Sequence, residues 1–152
     1  MKNKQITIKN KLVNHLIVCG KKSIGEKIVL KSLKTLQKSS YKQSKDLVKL
    51  AIIFSTPTFK LNKISQKKRK KKKNQKVKEV PAFISLEATR ISAAIKLILT
   101  STKKAKTEKL PSKLRKELLL SSQCKGEAVK SKMDIQKQVL SNKRLFSYFK
   151  WR

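Results

Sequence analysis

Residues 56–84 read TPTFKLNKISQKKRKKKKNQKVKEVPAFI, and the fold is legible from how this stretch is divided. On the amino-terminal side, Phe59 and Leu61 alternate with Lys60 and Asn62; on the carboxyl-terminal side, Val80, Ala82 and Ile84 share one parity. Alternation with a period of two is the mark of a half-buried strand, so two short strands flank a charged tip. The tip is Lys67, Lys68, Arg69, Lys70, Lys71, Lys72 and Lys73. Seven adjacent positive charges cannot enter a core, and they repel one another until a polyanion neutralises them. The reading is therefore a basic β-hairpin arm over residues 57–84 with its lysine-rich tip at 67–73, suited to lie against RNA.

Composition extends this reading to the whole chain. The 41 Lys and Arg stand against 8 Asp and Glu, a formal charge of +33 over 152 residues. A chain of this length buries about 70% of its extended surface, so one domain over 1–152 is expected. Self-repulsion on this scale calls for a partner with dense negative charge, and no acidic stretch offsets it. Only Arg69, Arg90, Arg115, Arg144 and Arg152 are arginines. Lysine binds phosphate as a point charge, so attraction to a backbone and recognition of shape dominate over reading of bases. The abundance of Lys, Ile, Asn and Ser beside three Gly and three Pro points to A+T-rich coding DNA, as in an organellar genome, which a base count of that DNA tests.

Cys19 and Cys124 lack a CxxC companion and His15 is the single histidine, so no zinc set forms and reduced structural thiols are expected. No apolar run approaches the roughly 20 residues of a membrane span, and residues 1–10 lack the apolar region of a secretory signal, so the chain is expected to begin where it functions. The eight carboxylates pair neither with His15 nor with a hydroxyl at any catalytic spacing, and the three glycines form no phosphate loop. No enzyme activity, cofactor, metal, small-molecule substrate or membrane partner is expected. His15 is read as a partly buried, hydrogen-bonded side chain.

Helical periodicity supplies the body. After a basic leader, residues 1–11, Leu12, Val13, Leu16 and Ile17 define a first helix that stops at Cys19-Gly20. Ser23 and Glu26 have capping-box spacing at the start of a second, with Ile24, Ile28, Val29, Leu33 and Leu36 on its apolar half. Leu47, Leu50, Ala51 and Phe54 line a third, ended by Thr56-Pro57. Beyond the hairpin, Ser85 caps a fourth helix with Ala88, Ile91, Ala94, Ile95, Ile98 and Leu99 on one face and Leu97 off it. Pro111 opens a fifth with Leu114 and Leu118, closed by Lys125-Gly126; a sixth from Glu127 carries Val129, Met133 and Leu140. The expected fold is mainly α: about six helices in a bundle, with the arm protruding between the third and fourth.

Residues 12–23, LVNHLIVCGKKS, resemble the first motif of bacterial-type ribosomal protein seven of the small subunit. Four further pieces follow in that family's order: Pro57-Thr58-Phe59 entering the arm, Val80-Pro81 leaving it, Lys125-Gly126-Glu127-Ala128-Val129-Lys130 opening the last helix, and Asn142-Lys143 before Phe149-Lys150-Trp151. The resemblance implies a scaffold on the 3′ major domain of small-subunit rRNA that nucleates assembly of the head. It further implies contact with small-subunit proteins nine and eleven and an arm near the exit-site tRNA and the mRNA exit path. By resemblance and charge together, the rRNA-facing residues are Lys2, Lys4, Lys9, Lys11, Lys21, Lys22, Lys67 to Lys73 (with Arg69), Arg90, Lys130, Lys132, Lys143 and Arg144. Three features depart from the family, one being an extra residue in the spacing between Asn142 and Trp151. Most of the usual basic amino-terminal extension is missing, and a glycine-free lysine tract replaces the arm's Arg-Arg-Val-Gly-Gly. Divergence and lysine bias suggest the mitochondrial matrix, with a relict plastid as the alternative location. The alternative function is a nuclear or nucleoid DNA-binding protein using Lys67 to Lys73 as a localisation signal or tether.

Overall fold

Each helix of this chain has an apolar stripe that must be covered, and the chain covers all of them with one another. A computed structural model describes residues 8–41, 43–65, 77–104 and 108–148. Among these, six α-helices follow in order: α1 Ile8–Leu16, α2 Lys22–Lys38, α3 Ser44–Ser55, α4 Glu87–Lys104, α5 Leu110–Ser122 and α6 Glu127–Ser141. A two-stranded antiparallel hairpin, β1 Phe59–Ser65 and β2 Val77–Phe83, lies between α3 and α4, and a 3-10 helix, Lys143–Tyr148, follows α6. The architecture is the expected helical bundle with its hairpin.

The fifth helix is the hub, packing on α2, α3, α4 and α6. Its Leu114 and Leu118 join Leu12, Val29, Leu36, Ala51, Ile95, Ile98 and Ala128 in one buried cluster. Local chemistry sets the boundaries. Cys19 and Gly20 both have left-handed backbone (φ 51° and 73°), which ends the α1 segment where the sequence suggested. Thr56 is extended (ψ 115°) ahead of Pro57, and Pro111 sits in the first turn of α5, where its missing N–H costs nothing. The carboxyl end of α5 is a Schellman turn. Lys125 N–H donates to the Leu120 carbonyl (2.9 Å) and Cys124 N–H to that of Ser121 (3.1 Å), with Cys124 at φ 60° in the position glycine usually takes.

Several expectations are corrected. The first helix begins at Ile8, so Lys9 and Lys11, counted in the basic leader, belong to α1. The capping box is absent: α2 starts at Lys22, Lys21 occupies the cap position without a side-chain bond, and Glu26 pairs with Lys22 instead. Ser23 thus lies inside the first turn, where its hydroxyl cannot serve the cap, and Ile24 is 51% exposed. The first bonds of α4 are accepted by the Leu86 carbonyl, from Thr89 and Arg90 N–H, rather than framed by Ser85; Ala88 is exposed. Leu97 is not off the core but half-buried against it. On α6, Met133 (50%) and Leu140 (66%) face outward and Val139 is buried, because the helix turns its Ala128, Val129 and Val139 side to its neighbours.

The hairpin register pairs Phe59 with Phe83, Leu61 with Pro81 and Lys63 with Glu79 on one face, and Lys60 with Ala82 and Asn62 with Val80 on the other. The apolar parity of β1 and that of β2 therefore point to opposite faces. Both are covered near the body: β1 lies on α6, β2 lies on the 3-10 helix, and Val80 is only 2% exposed. The hairpin is anchored on two sides at its base.

Candidate nucleic-acid interface

Eight carboxylates can neutralise at most eight of the 41 basic groups. Among the described residues five of them do so in ion pairs: Glu26 with Lys22 (3.8 Å), Asp46 with Lys49 (3.6 Å), Glu79 with Lys63 (3.6 Å), Glu127 with Lys130 (3.4 Å) and Glu108 with Lys116. These pairs are solvent-exposed and stabilise the fold only weakly. Even with all eight carboxylates paired, the formal charge of +33 would remain.

Of the residues singled out from sequence, Lys2, Lys4 and Lys67 to Lys73 with Arg69 lie outside the described residues. The others fall into distinct settings. Arg90 joins the hairpin exit to α4: its Nε donates to the Ile84 carbonyl (2.7 Å), its Nη2 to that of Ser85 (2.9 Å), and the guanidinium sits 5.3 Å from the Phe83 ring centre. Phe83 meets Phe59 edge-on at 5.8 Å, and Phe59 meets Phe146 at 5.6 Å. This chain of rings holds the 3-10 helix against the hairpin base, bringing Lys143 and Arg144, both exposed and within a turn of Phe146, to the same end of the molecule as Arg90. Arg90 is thus a structural staple between the hairpin exit and the start of α4.

Lys132 is likewise engaged within the fold. Its Nζ donates to the Phe54 carbonyl (2.8 Å) in the last turn of α3, where the helix dipole favours a cation. Lys130 is exposed and paired with Glu127 (3.4 Å), and Lys22 with Glu26 (3.8 Å), both weak, solvent-exposed pairs. Lys21 and Lys22 stand at the amino terminus of α2, and Lys9 is exposed on α1.

His15 reports the field on the α1 side. Its pKa is lowered below the ordinary 6.5 by partial burial first, then by the positive charges of Lys96 on α4 and Lys11 on its own helix. The imidazole is therefore neutral at pH 7. As pH falls, the unfolded chain takes up this proton before the folded one, so the stability present above pH 6.5 declines below it. A phosphate placed against Lys11 and Lys96 reverses the repulsion. Titrating the one imidazole by NMR should give a pKa below 6.5 in the isolated protein, moved upward by Lys96→Gln and by bound RNA. A value indifferent to both shows that no anion approaches this face.

The Lys125-to-Lys130 motif has a structural meaning that the sequence did not disclose. Glu117 lies on the buried stripe of α5 with Leu114, Leu118 and Ser121. Its Oε1 accepts the Ala128 N–H of the first turn of α6 (2.8 Å) and the Ser121 hydroxyl (3.2 Å). A carboxylate from one helix thus caps the next. Gly126, with ordinary backbone (φ −70°, ψ 157°), is required for space: a Cβ there would lie 2.3 Å from Ser121 Oγ, 2.8 Å from Glu117 Oε1 and 2.9 Å from Ser121 N. An acid on an otherwise apolar helix stripe was the available signal for Glu117. Only the packing of α5 on α6 shows what it does.

Residues 1–143 match the family described as ribosomal protein S7p/S5e. The small ribosomal subunit protein uS7c of Euglena gracilis is 28% identical over 137 residues, spanning 90% of this chain and 83% of that protein. The uS7 protein of Pseudothermotoga lettingae is 28% identical over 141 residues (93% and 85%), and that of Pelagibacter ubique 27% over 145 residues (95% and 87%). With the family match running through all six helices, the hairpin and the start of the 3-10 helix, the chain belongs to the ribosomal protein S7p/S5e family.

Proposed function

We propose that this protein is a structural component of the small ribosomal subunit that binds small-subunit rRNA, and acts by scaffolding with no catalytic step. The observation that carries the reading is the charge imbalance: 41 basic groups against eight carboxylates on a bundle that holds a basic hairpin by its base. In the finer reading, the bundle sits on the 3′ major domain in the head and nucleates its assembly. The arm reaches toward the exit-site tRNA and mRNA, and small-subunit proteins nine and eleven are neighbours. Lysine-rich composition favours a mitochondrial ribosome, and a relict plastid ribosome is the second location. A DNA-tethering role for Lys67 to Lys73 is not favoured by the family match.

The protein should sediment with small subunits in moderate salt, because many phosphate contacts and neighbouring proteins hold it; recovery only from a ribosome-free pool overturns the reading. Replacing Lys67 to Lys73 by serine should weaken binding to a small-subunit rRNA transcript. The dependence of log K on log salt should flatten by roughly 0.7 to 0.9 per lost phosphate contact. An unchanged slope removes the tip from the interface.

A further inference from the structure

The outward face of α2 carries a feature that the family reading does not use. Lys27, Lys31, Lys34 and Lys38 recur at spacings of four, three and four, which places all four on one face, opposite the buried Gly25, Val29, Ser32 and Leu36. All four are exposed and none forms an ion pair among the described residues. No carboxylate lies three or four residues from any of them, so each neighbouring pair in the stripe is at a repulsive spacing. At 1.5 Å per residue the row runs roughly 16 Å along the helix.

The row ends at a cleft. Thr35, Lys38 and Ser39 of the α2 terminus face Ser112 and Arg115 of α5 across a cavity of about 350 Å³, lined by no carboxylate among the described residues. The cleft between α4 and α5, by contrast, sets Glu108 and Glu117 against Lys113 and Lys116 in its walls, so its formal charge balances and it offers an anion no net attraction. The Thr35 and Ser39 hydroxyls donate to backbone carbonyls of α2, leaving Lys38, Arg115 and Ser112 as the donors for a ligand. Arginine there brings a planar fork suited to phosphate, in a chain where that residue is rare.

We propose that the outer face of α2, with the α2–α5 cleft at its end, is a second RNA-backbone site, apart from the hairpin arm. The two surfaces belong to different parts of the bundle: α2 packs on α1, α3 and α5, whereas the hairpin packs on α6 and the 3-10 helix. The row's chemistry favours RNA over a protein partner. Lysine is depleted in protein interfaces, which are centred on aromatic and apolar anchors, and the row offers evenly spaced point charges. A protein holding RNA on two separate surfaces clamps two rRNA segments together. The proposal rests on the rRNA-binding reading, and the test separates the two.

The test uses the full-length chain, a transcript of the 3′ domain of small-subunit rRNA, and four proteins: wild type, Lys67 to Lys73 changed to serine, the α2 quadruple Lys→Gln variant, and the same four positions changed to arginine. Glutamine keeps helix propensity, and removing mutual repulsion should leave the melting temperature unchanged or raised. The glutamine variant should flatten the log K against log salt slope by roughly 3 and weaken binding at least tenfold at about 0.1 M salt, and the arginine variant should restore both. A wild-type protein that fails to bind the transcript overturns the functional reading and this inference with it. If the tip variant loses binding while the glutamine variant matches wild type, the functional reading stands and the second site is overturned. Loss of binding to poly-glutamate with an unchanged RNA slope assigns the face to an acidic protein and likewise overturns it.

Discussion

Gly126→Ala should destabilise the fold by about 3 kcal/mol or more, seen as a lower urea midpoint with an unchanged denaturant slope. The added methyl meets Ser121, which is fully buried and cannot move aside, and the carboxylate oxygen of Glu117. Separating these atoms costs the overpacking strain, and displacing the carboxylate breaks its bond to Ala128 N–H, a charge-assisted bond to a buried donor with no replacement. Because Gly126 has ordinary φ and ψ, the loss comes from crowding rather than backbone strain. Ser121→Ala in the same background removes the 2.3 Å encounter and should recover part of the stability; a double-mutant cycle measures how much. A fully stable Gly126→Ala protein contradicts the observed approach of α5 to the start of α6.

Ile95→Asp should unfold the protein. Ile95 has 0% exposure at the centre of the cluster, so an unpaired carboxylate there costs more than about 4 kcal/mol, a large part of the 5 to 15 kcal/mol typical of a domain. Leu97→Asp, two residues on, should cost about 1 kcal/mol. Leu97 packs on the cluster from its edge, and its substitute carboxylate can still reach water. Far-ultraviolet circular dichroism with urea titration separates the two. Equal tolerance means that α4 presents a different face to the core.

The helices were legible because their signals are local. A 3.6-residue apolar recurrence, Pro57 after Thr56, Pro111 in a first turn and the Cys19-Gly20 stop each act within a few residues, and each is found where expected. The errors arose where a local signal has competitors. Ser23 and Glu26 have capping-box spacing, but the helix starts two residues earlier, with Lys21 at the cap, which places Ser23 inside the first turn. Met133 and Leu140 shared a period with Val129, yet contact with α4 and α5 selected the stripe containing Val139. Among the candidate interface residues, sequence named the charges but not their engagements. The spacing of Arg90 and Lys132 gives no sign that they bond to the Ile84, Ser85 and Phe54 carbonyls, because only one of those partners lies within five residues of its cation.

Sequence by itself determined the class of fold, the order of its elements and the sign and scale of its charge. These depend on residue type and short-range spacing, which no tertiary arrangement alters. Tertiary structure alone decided that the two apolar parities of the hairpin lie on opposite faces, that Glu117 caps α6, and that Lys38 and Arg115 border one cleft. Each of these depends on a register or an approach between segments distant in the chain. Burial of apolar stripes drives such segments together without recording, in either one, which atoms will meet.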